Sequence, residues 1–324
     1  MVEDLVTYLR EAFGWADDIV VSTGPRGARG QIWRLDVGPA RYALKEIFAG
    51  PPSQAVIDTE LAFARKATAA GVRLPAGHPG RDGEYVLAGP GGTWLRLYDW
   101  IDLRPVDLTA DATPRQLGTL LARLHRCAPA VALEPDGESP DPWYDHVPAF
   151  GQWTVPAASG AAWAPRLAER LSTLPDLCAA VGPADPGDLI LCHRDLHPDN
   201  VLADPSGALV VVDWDNLGPA TPERELALVL FDWFCDSSAV DLDAMRAMYE
   251  AYVGEGGPGR ITEPADFTML LACRLNFLWR QTRIATDPAA EARHRAWAER
   301  EIAEALDILP TPQQLADVLQ MTGA

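Results

Sequence analysis

Lysine is nearly missing from this chain of 324 residues: Lys45 and Lys66 stand against 25 arginines, which points to a local chemical reason for lysine at those two places. Cysteine is sparse and scattered (Cys127, Cys178, Cys192, Cys235, Cys273), with no CxxC spacing. That excludes a zinc or disulfide framework and reads as reduced thiols in a cytoplasmic protein. No run of 18 apolar residues occurs; the richest stretch, Leu226–Cys235, is broken by Asp232, so no membrane span is expected. Met1–Arg10 carries charges and no apolar core, which argues against a secretory signal. Basic residues are outnumbered, 27 against 46 acidic, for a net charge of −19. Neutralising phosphates along a nucleic acid needs a basic face, so that partner class is excluded. Repeats, heptads and low-complexity tracts are also missing.

What is present suits a globular enzyme. The chain is 48% hydrophobic and 23% charged, ample for a sizeable core. Its length exceeds the usual single-core size, which predicts two lobes. Residues 1–105 hold 13 acids and 12 bases, whereas residues 128–260 hold 22 acids and 6 bases. The second excess either attracts a cationic ligand or keeps the protein soluble.

Pattern reading predicts a helix over Val2–Phe13, then strands over Ile19–Thr23, Gln31–Val37 and Arg41–Phe48, with a glycine-rich turn Gly24–Gly30. A helix is expected over Ser53–Ala70, followed by strands Glu84–Ala88 and Thr93–Asp99. After Trp100 helices take over: Pro114–Arg126, Ala161–Val181, and nearly everything from Pro222 onward. The expected fold class is α+β, with a β-rich lobe over residues 1–100 and a mainly helical lobe over residues 101–324.

The chemistry concentrates in His193-Arg194-Asp195-Leu196-His197-Pro198-Asp199-Asn200 and in Asp213, which ends the apolar run Val210-Val211-Val212. Phosphoryl transfer needs a carboxylate to accept the attacking hydroxyl's proton and oxygen ligands to hold Mg²⁺ against the phosphates. Asp195 suits the first role. Asn200, a neutral oxygen donor, and Asp213, aimed from a strand end, suit the second.

This HxDxxxxN loop followed by a strand aspartate resembles the aminoglycoside phosphotransferase and choline kinase family, which has a two-lobed protein-kinase-like fold. The resemblance covers roughly residues 20–235. It implies ATP or GTP and Mg²⁺ as cofactors and a hydroxylated small molecule as acceptor, with antibiotic resistance among the family's roles. It assigns Gly24 and Gly27 to a nucleotide-covering loop and Lys45 to the α- and β-phosphates. It makes Glu60 the partner of that lysine and gives the backbone of Leu97, Tyr98 and Asp99 to adenine. The family often has Asp-Leu-Ala where this chain has Glu225-Leu226-Ala227, a longer carboxylate still able to anchor the catalytic loop. His125 is expected to be structural.

The literal His-Arg-Asp string also fits a protein kinase, but no Ala-Pro-Glu element or long activation segment follows Asp215. A kinase-fold pseudoenzyme or scaffold remains open, although Lys45, Asp195, Asn200 and Asp213 are all present. A zinc hydrolase built on His193, Asp195 and His197 lacks a third distant ligand with a supporting motif. For the acceptor, Asp215, Asp232 and Asp236 can meet a cation, Trp233 and Trp143 can give apolar or cation–π surface, and Arg274 with Asn276 can line a cleft.

Overall fold

The computed structural model describes residues 2–26, 30–48, 50–132, 141–236 and 239–323. In chain order its first half contains α1 (Val2–Phe13), β1 (Ile19–Arg26), β2 (Gly30–Val37), β3 (Ala40–Ile47), α2 (Gln54–Ala69), β4 (Gly77–His78), β5 (Leu87–Ala88), β6 (Trp94–Asp99) and α3 (Thr113–Cys127). Then come α4 (Thr154–Ala157), α5 (Ala164–Arg170), α6 (Leu174–Ala179), β7 (Ile190–Cys192), β8 (Val201–Ala203), β9 (Leu209–Val211) and β10 (Gly218–Ala220). The rest is helical: α7 (Pro222–Phe234), α8 (Leu242–Gly254), α9 (Thr268–Thr286), α10 (Ala292–Ile308) and α11 (Pro312–Thr322). Two compact units result, Met1–Val106 with Asn200–Trp214 and Asp107–Asp199 with Asp215–Ala324. The β8–β9 hairpin thus groups with the first unit, across the division at residue 100 that composition suggests.

In the first unit an antiparallel sheet runs β1-β2-β3-β6-β4, with β5 also along β6. Strand alternation sends successive side chains to opposite faces. Leu44 is fully buried among Leu9, Leu35, Leu95 and Leu97, with Leu5 and Val6 of α1 packed against that cluster. Lys45, the next residue of β3, points the other way and is itself buried, as is Glu60 of α2. The N-cap Ser53 accepts from Val56 N–H at 3.4 Å, which starts α2 one residue later than the pattern predicts. The Gly24-Pro25 turn is pinned by the buried Gln31, whose Nε2 donates to Gly24 O at 2.8 Å and Pro25 O at 3.0 Å.

The second unit is helical around the short β7–β10 pair. α3 approaches α8 at Gly118, where a Cβ would come within 2.2 Å of Met248 O, so only glycine allows this spacing. α7 is buried on nearly every side, as an all-round apolar helix must be. The single helix expected over Ala161–Val181 is two, α5 and α6. Pro175 in the first turn of α6 cannot continue a helix from the preceding residues. The helical stretch expected from Pro222 also breaks after Phe234, and Asp241 restarts it by accepting from Ala244 N–H at 3.0 Å.

Candidate active site

In the first unit, Lys45 Nζ lies 2.7 Å from Asp213 Oδ1, an ion pair between residues 168 apart in sequence. Asp213 follows β9 in a left-handed conformation, φ +57°, rare for a residue with a side chain. Such local strain persists where the surroundings over-determine it. Val212 N–H donates to Asn200 O at 2.9 Å, one rung beyond the Val201–Val211 pairing of the hairpin. Asn200 and Asp213 therefore sit side by side at the open end of β8 and β9. An amide oxygen and a carboxylate are hard donors suited to Mg²⁺. That the ammonium of Lys45 already sits on the Asp213 carboxylate shows this oxygen is placed to hold a cation, so the residues fit the ion.

Glu60 departs from expectation. Both its oxygens are taken by Arg96 of β6, through Nη1 and Nη2 at 2.8 Å each, while Lys45 engages Asp213. The physical reason lies in the sheet register, where Arg96 is the direct cross-strand neighbour of Lys45. A planar guanidinium matches a carboxylate with two parallel bonds, which an ammonium cannot do. The sequence did carry a signal for Arg96, a charge inside the apolar alternation Trp94-Leu95-Arg96-Leu97.

Leu97 and Tyr98 lie in the interior of β6, paired to Leu44 and Ala43 of β3. Asp99 is committed locally: its N–H donates to Ala76 O at 2.9 Å, and its carboxylate meets His78 Nε2 at 2.7 Å and accepts from Ala76 N–H at 3.2 Å. Gly24 belongs to the pinned turn of β1; Gly27 lies outside the described residues.

In the second unit, Asn216 Nδ2 donates to Asp195 Oδ2 at 2.9 Å, and His197 Nε2 stands 3.6 Å from Asp195 Oδ1. Asn216 has no motif signal, which is why sequence reading passes over it. Arg194 holds the loop in place. It too is left-handed, φ +65°, and its Nε donates to Asn216 O at 2.7 Å. Its guanidinium lies 4.0 Å from the Tyr144 ring centroid and 3.4 Å from Asp141 Oδ2. On the other side it rests on Gly218, where a Cβ would fall 2.3 Å from Nη2.

Glu225 anchors this loop as its longer carboxylate allows. One oxygen accepts from Arg194 N–H and the other meets His125 Nε2 at 2.7 Å. Tyr252 Oη accepts from Gly259 N–H at 2.9 Å and bonds His125 Nδ1 at 2.8 Å, so the imidazole proton belongs on Nε2, toward Glu225. Burial by itself would raise the Glu225 carboxyl, but the hydrogen bonds from His125 and Arg194 hold it below its ordinary value. His125 is structural, as expected.

The residues proposed for the acceptor separate into two groups. Trp233 is buried and donates Nε1–H to Leu196 O at 2.7 Å, so it braces the catalytic loop and offers no wall to a ligand. Asn276 donates to Trp143 O at 2.9 Å and His146 O at 2.7 Å, fastening that segment to α9. Asp232 is neutralised by Arg274 Nη2 at 3.0 Å; burial nevertheless raises its pKa, against the pull of that arginine. Asp215 and Asp236 are exposed.

A comparison with curated proteins finds no match. Among solved structures, the chain resembles a spectinomycin phosphotransferase in complex with ADP and spectinomycin (TM-score 0.64, 14% identity, 98% of each chain covered). It also resembles a microcompartment-associated aminopropanol kinase (TM-score 0.62, 18% identity, 94% and 95% covered). An amicoumacin kinase in complex with AMP-PNP and Ca²⁺ is similar as well (TM-score 0.60, 18% identity, 98% and 96% covered). The model of the phosphotransferase enzyme family matches residues 21–264. The chain therefore belongs to the phosphotransferase enzyme family, as an ATP-dependent small-molecule phosphotransferase with a protein-kinase-like fold.

Proposed function

We propose that the enzyme moves the γ-phosphoryl group of ATP to a hydroxyl of a small molecule that also carries an amine. The Lys45–Asp213 pair at 2.7 Å carries this reading, because it joins the phosphate-binding cation to the metal-binding carboxylate. Asp195 accepts the proton of the acceptor hydroxyl as its oxygen bonds to phosphorus and the bond to the ADP oxygen breaks. Asn216 holds one oxygen of that carboxylate in a fixed orientation. Lys45 pairs with the phosphates. Asn200 and Asp213 are the residues to hold Mg²⁺, which when bound supplies neutralisation of phosphate charge. Gly24 is assigned to the turn that covers the nucleotide, and the backbone of Leu97 and Tyr98 to the adenine side; the Asp99 amide, which already donates to Ala76 O, is not needed.

The amine is suggested by the surplus of acids in residues 128–260. Asp232 is neutralised by Arg274, and the exposed Asp215 and Asp236 are the carboxylates proposed to meet the amine. Spectinomycin, amicoumacin and aminopropanol, named with the structurally similar proteins, define the first acceptors to try, in the cytoplasm where ATP is made. Among the described residues no helix is long and apolar enough to cross a membrane. The test is turnover of Mg·ATP with such acceptors. Asp195→Asn should lower it by about 10²–10⁴-fold while nucleotide affinity stays near the parent's. Turnover within a few-fold of the parent would remove Asp195 from the role of base.

A further inference from the structure

Three buried charges meet on the α2 face of the first unit's sheet: Lys45, Arg96 and Glu60, all under a tenth exposed. Two cations thus compete for one carboxylate. Arg96 takes it with two bonds of 2.8 Å, and its charge does not depend on pH. Lys45, the cross-strand neighbour of Arg96, reaches Asp213 instead.

We infer that Arg96 is a positioning residue which, by occupying Glu60, assigns Lys45 to the metal-binding carboxylate and so keeps a divalent cation from binding before the nucleotide. The inference rests on the reading of Asn200 and Asp213 as metal ligands. With Lys45 on Asp213, the pair of ligands offers a divalent ion a neutral amide and an already neutralised carboxylate. A triphosphate, with several negative oxygens, competes for the ammonium far better than a second cation competes for Asp213. Arrival of the nucleotide draws Lys45 away and exposes the carboxylate at the moment the metal is needed. Were Glu60 free to take Lys45, as the family resemblance implies, Asp213 would stand ready for metal at all times. The guanidinium of Arg96 thereby couples two binding events without touching either ligand.

The test reads binding of Mn²⁺ alone to the full chain, by loss of the free-ion electron paramagnetic resonance signal. Lys45→Met bares Asp213 and should tighten Mn²⁺ about tenfold, within the usual range of coupling between sites. Arg96→Leu releases Glu60 to recruit Lys45 and should tighten it similarly. Arg96→Leu with Glu60→Leu removes the alternative partner, returns Lys45 to Asp213, and should restore the parent's weak Mn²⁺ binding. Replacing a buried ion pair by apolar residues is often tolerated, so this double variant serves even where the single Arg96→Leu fails to fold. Mn²⁺ affinity unchanged in Lys45→Met, or as tight in the double variant as in Lys45→Met, would overturn the inference. ADP binding, measured in parallel, separates the two claims. Its absence in the parent would defeat the kinase reading, whereas normal ADP binding with unaltered Mn²⁺ affinities would defeat only the role of Arg96.

Discussion

Removing the Glu225 carboxylate tests how the catalytic loop is held. In Glu225→Ala two groups lose their partner together: the N–H of Arg194, in a left-handed backbone, and the fully buried His125. An orphaned buried donor costs about 1–3 kcal/mol, more where the acceptor it loses was charged, and here there are two. The two overlap, so the expected loss is about 3–5 kcal/mol in total, equivalent to a fall in Tm of roughly 4–8 °C at about 2.1 cal/mol/K of unfolding entropy per residue. Glu225→Gln keeps the shape and loses the charge, at about 1–3 kcal/mol for the charge-assisted part of the two bonds. The pH dependence has a definite sign. Because the folded state lowers the carboxyl below its reference value of 4.5, its stabilisation is complete above that pH and is lost as pH falls through the folded value. The parent should therefore lose stability on acidification more steeply than Glu225→Gln. Thermal unfolding followed by circular dichroism at neutral and acid pH reads both effects. A Tm for Glu225→Ala within about 2 °C of the parent's, or equal acid sensitivity in parent and Glu225→Gln, would refute the anchoring role.

Asn216→Ala should lower kcat about 10–100-fold, the usual cost of losing a group that orients a reacting one, with ADP affinity unchanged by calorimetry. Asn216→Asp places a second carboxylate beside Asp195 and should move the acid limb of the kcat–pH profile upward. Gly218→Ala should cost both Tm and kcat, since its Cβ would fall 2.4 Å from the Arg194 guanidinium carbon; the equivalent change at exposed Gly151, with nothing near its Cβ, is the control. An amine-bearing acceptor should show a KM that rises with salt, because screening acts over about 8 Å at physiological ionic strength; a salt-insensitive KM would leave the acidic surplus to solubility.

The elements that carry strong periodic or turn signals are legible in the sequence. α1, the first three strands, α2 and α3 fall within a few residues of their predicted bounds, because each buries one regular face. Asp195, Asn200, Asp213 and Lys45 stand out in the sequence as candidates because the proposed chemistry constrains residue type and spacing together. β4 escaped notice because two residues hold no period, and the break between α5 and α6 depends on a proline that also suits a helix's first turn. What no linear pattern conveys is pairing. Whether Glu60 meets Lys45 or Arg96 depends on the register of β3 against β6, and Asp232 reads as a ligand for an amine until α9 brings Arg274 to it. The polar atoms of Trp233 and Asn276 are likewise spent on backbone carbonyls distant in sequence, which no linear pattern shows.

The most direct measurement is incubation of the enzyme with Mg·ATP and a chemically diverse set of hydroxylated amines, spectinomycin and aminopropanol among them, with products read by mass spectrometry. At least one acceptor should gain a single phosphoryl group in step with ADP release, and Asp195→Ala should lose that product by orders of magnitude. Nucleotide that binds tightly but is never consumed, or a product that forms equally without Asp195, would contradict the account.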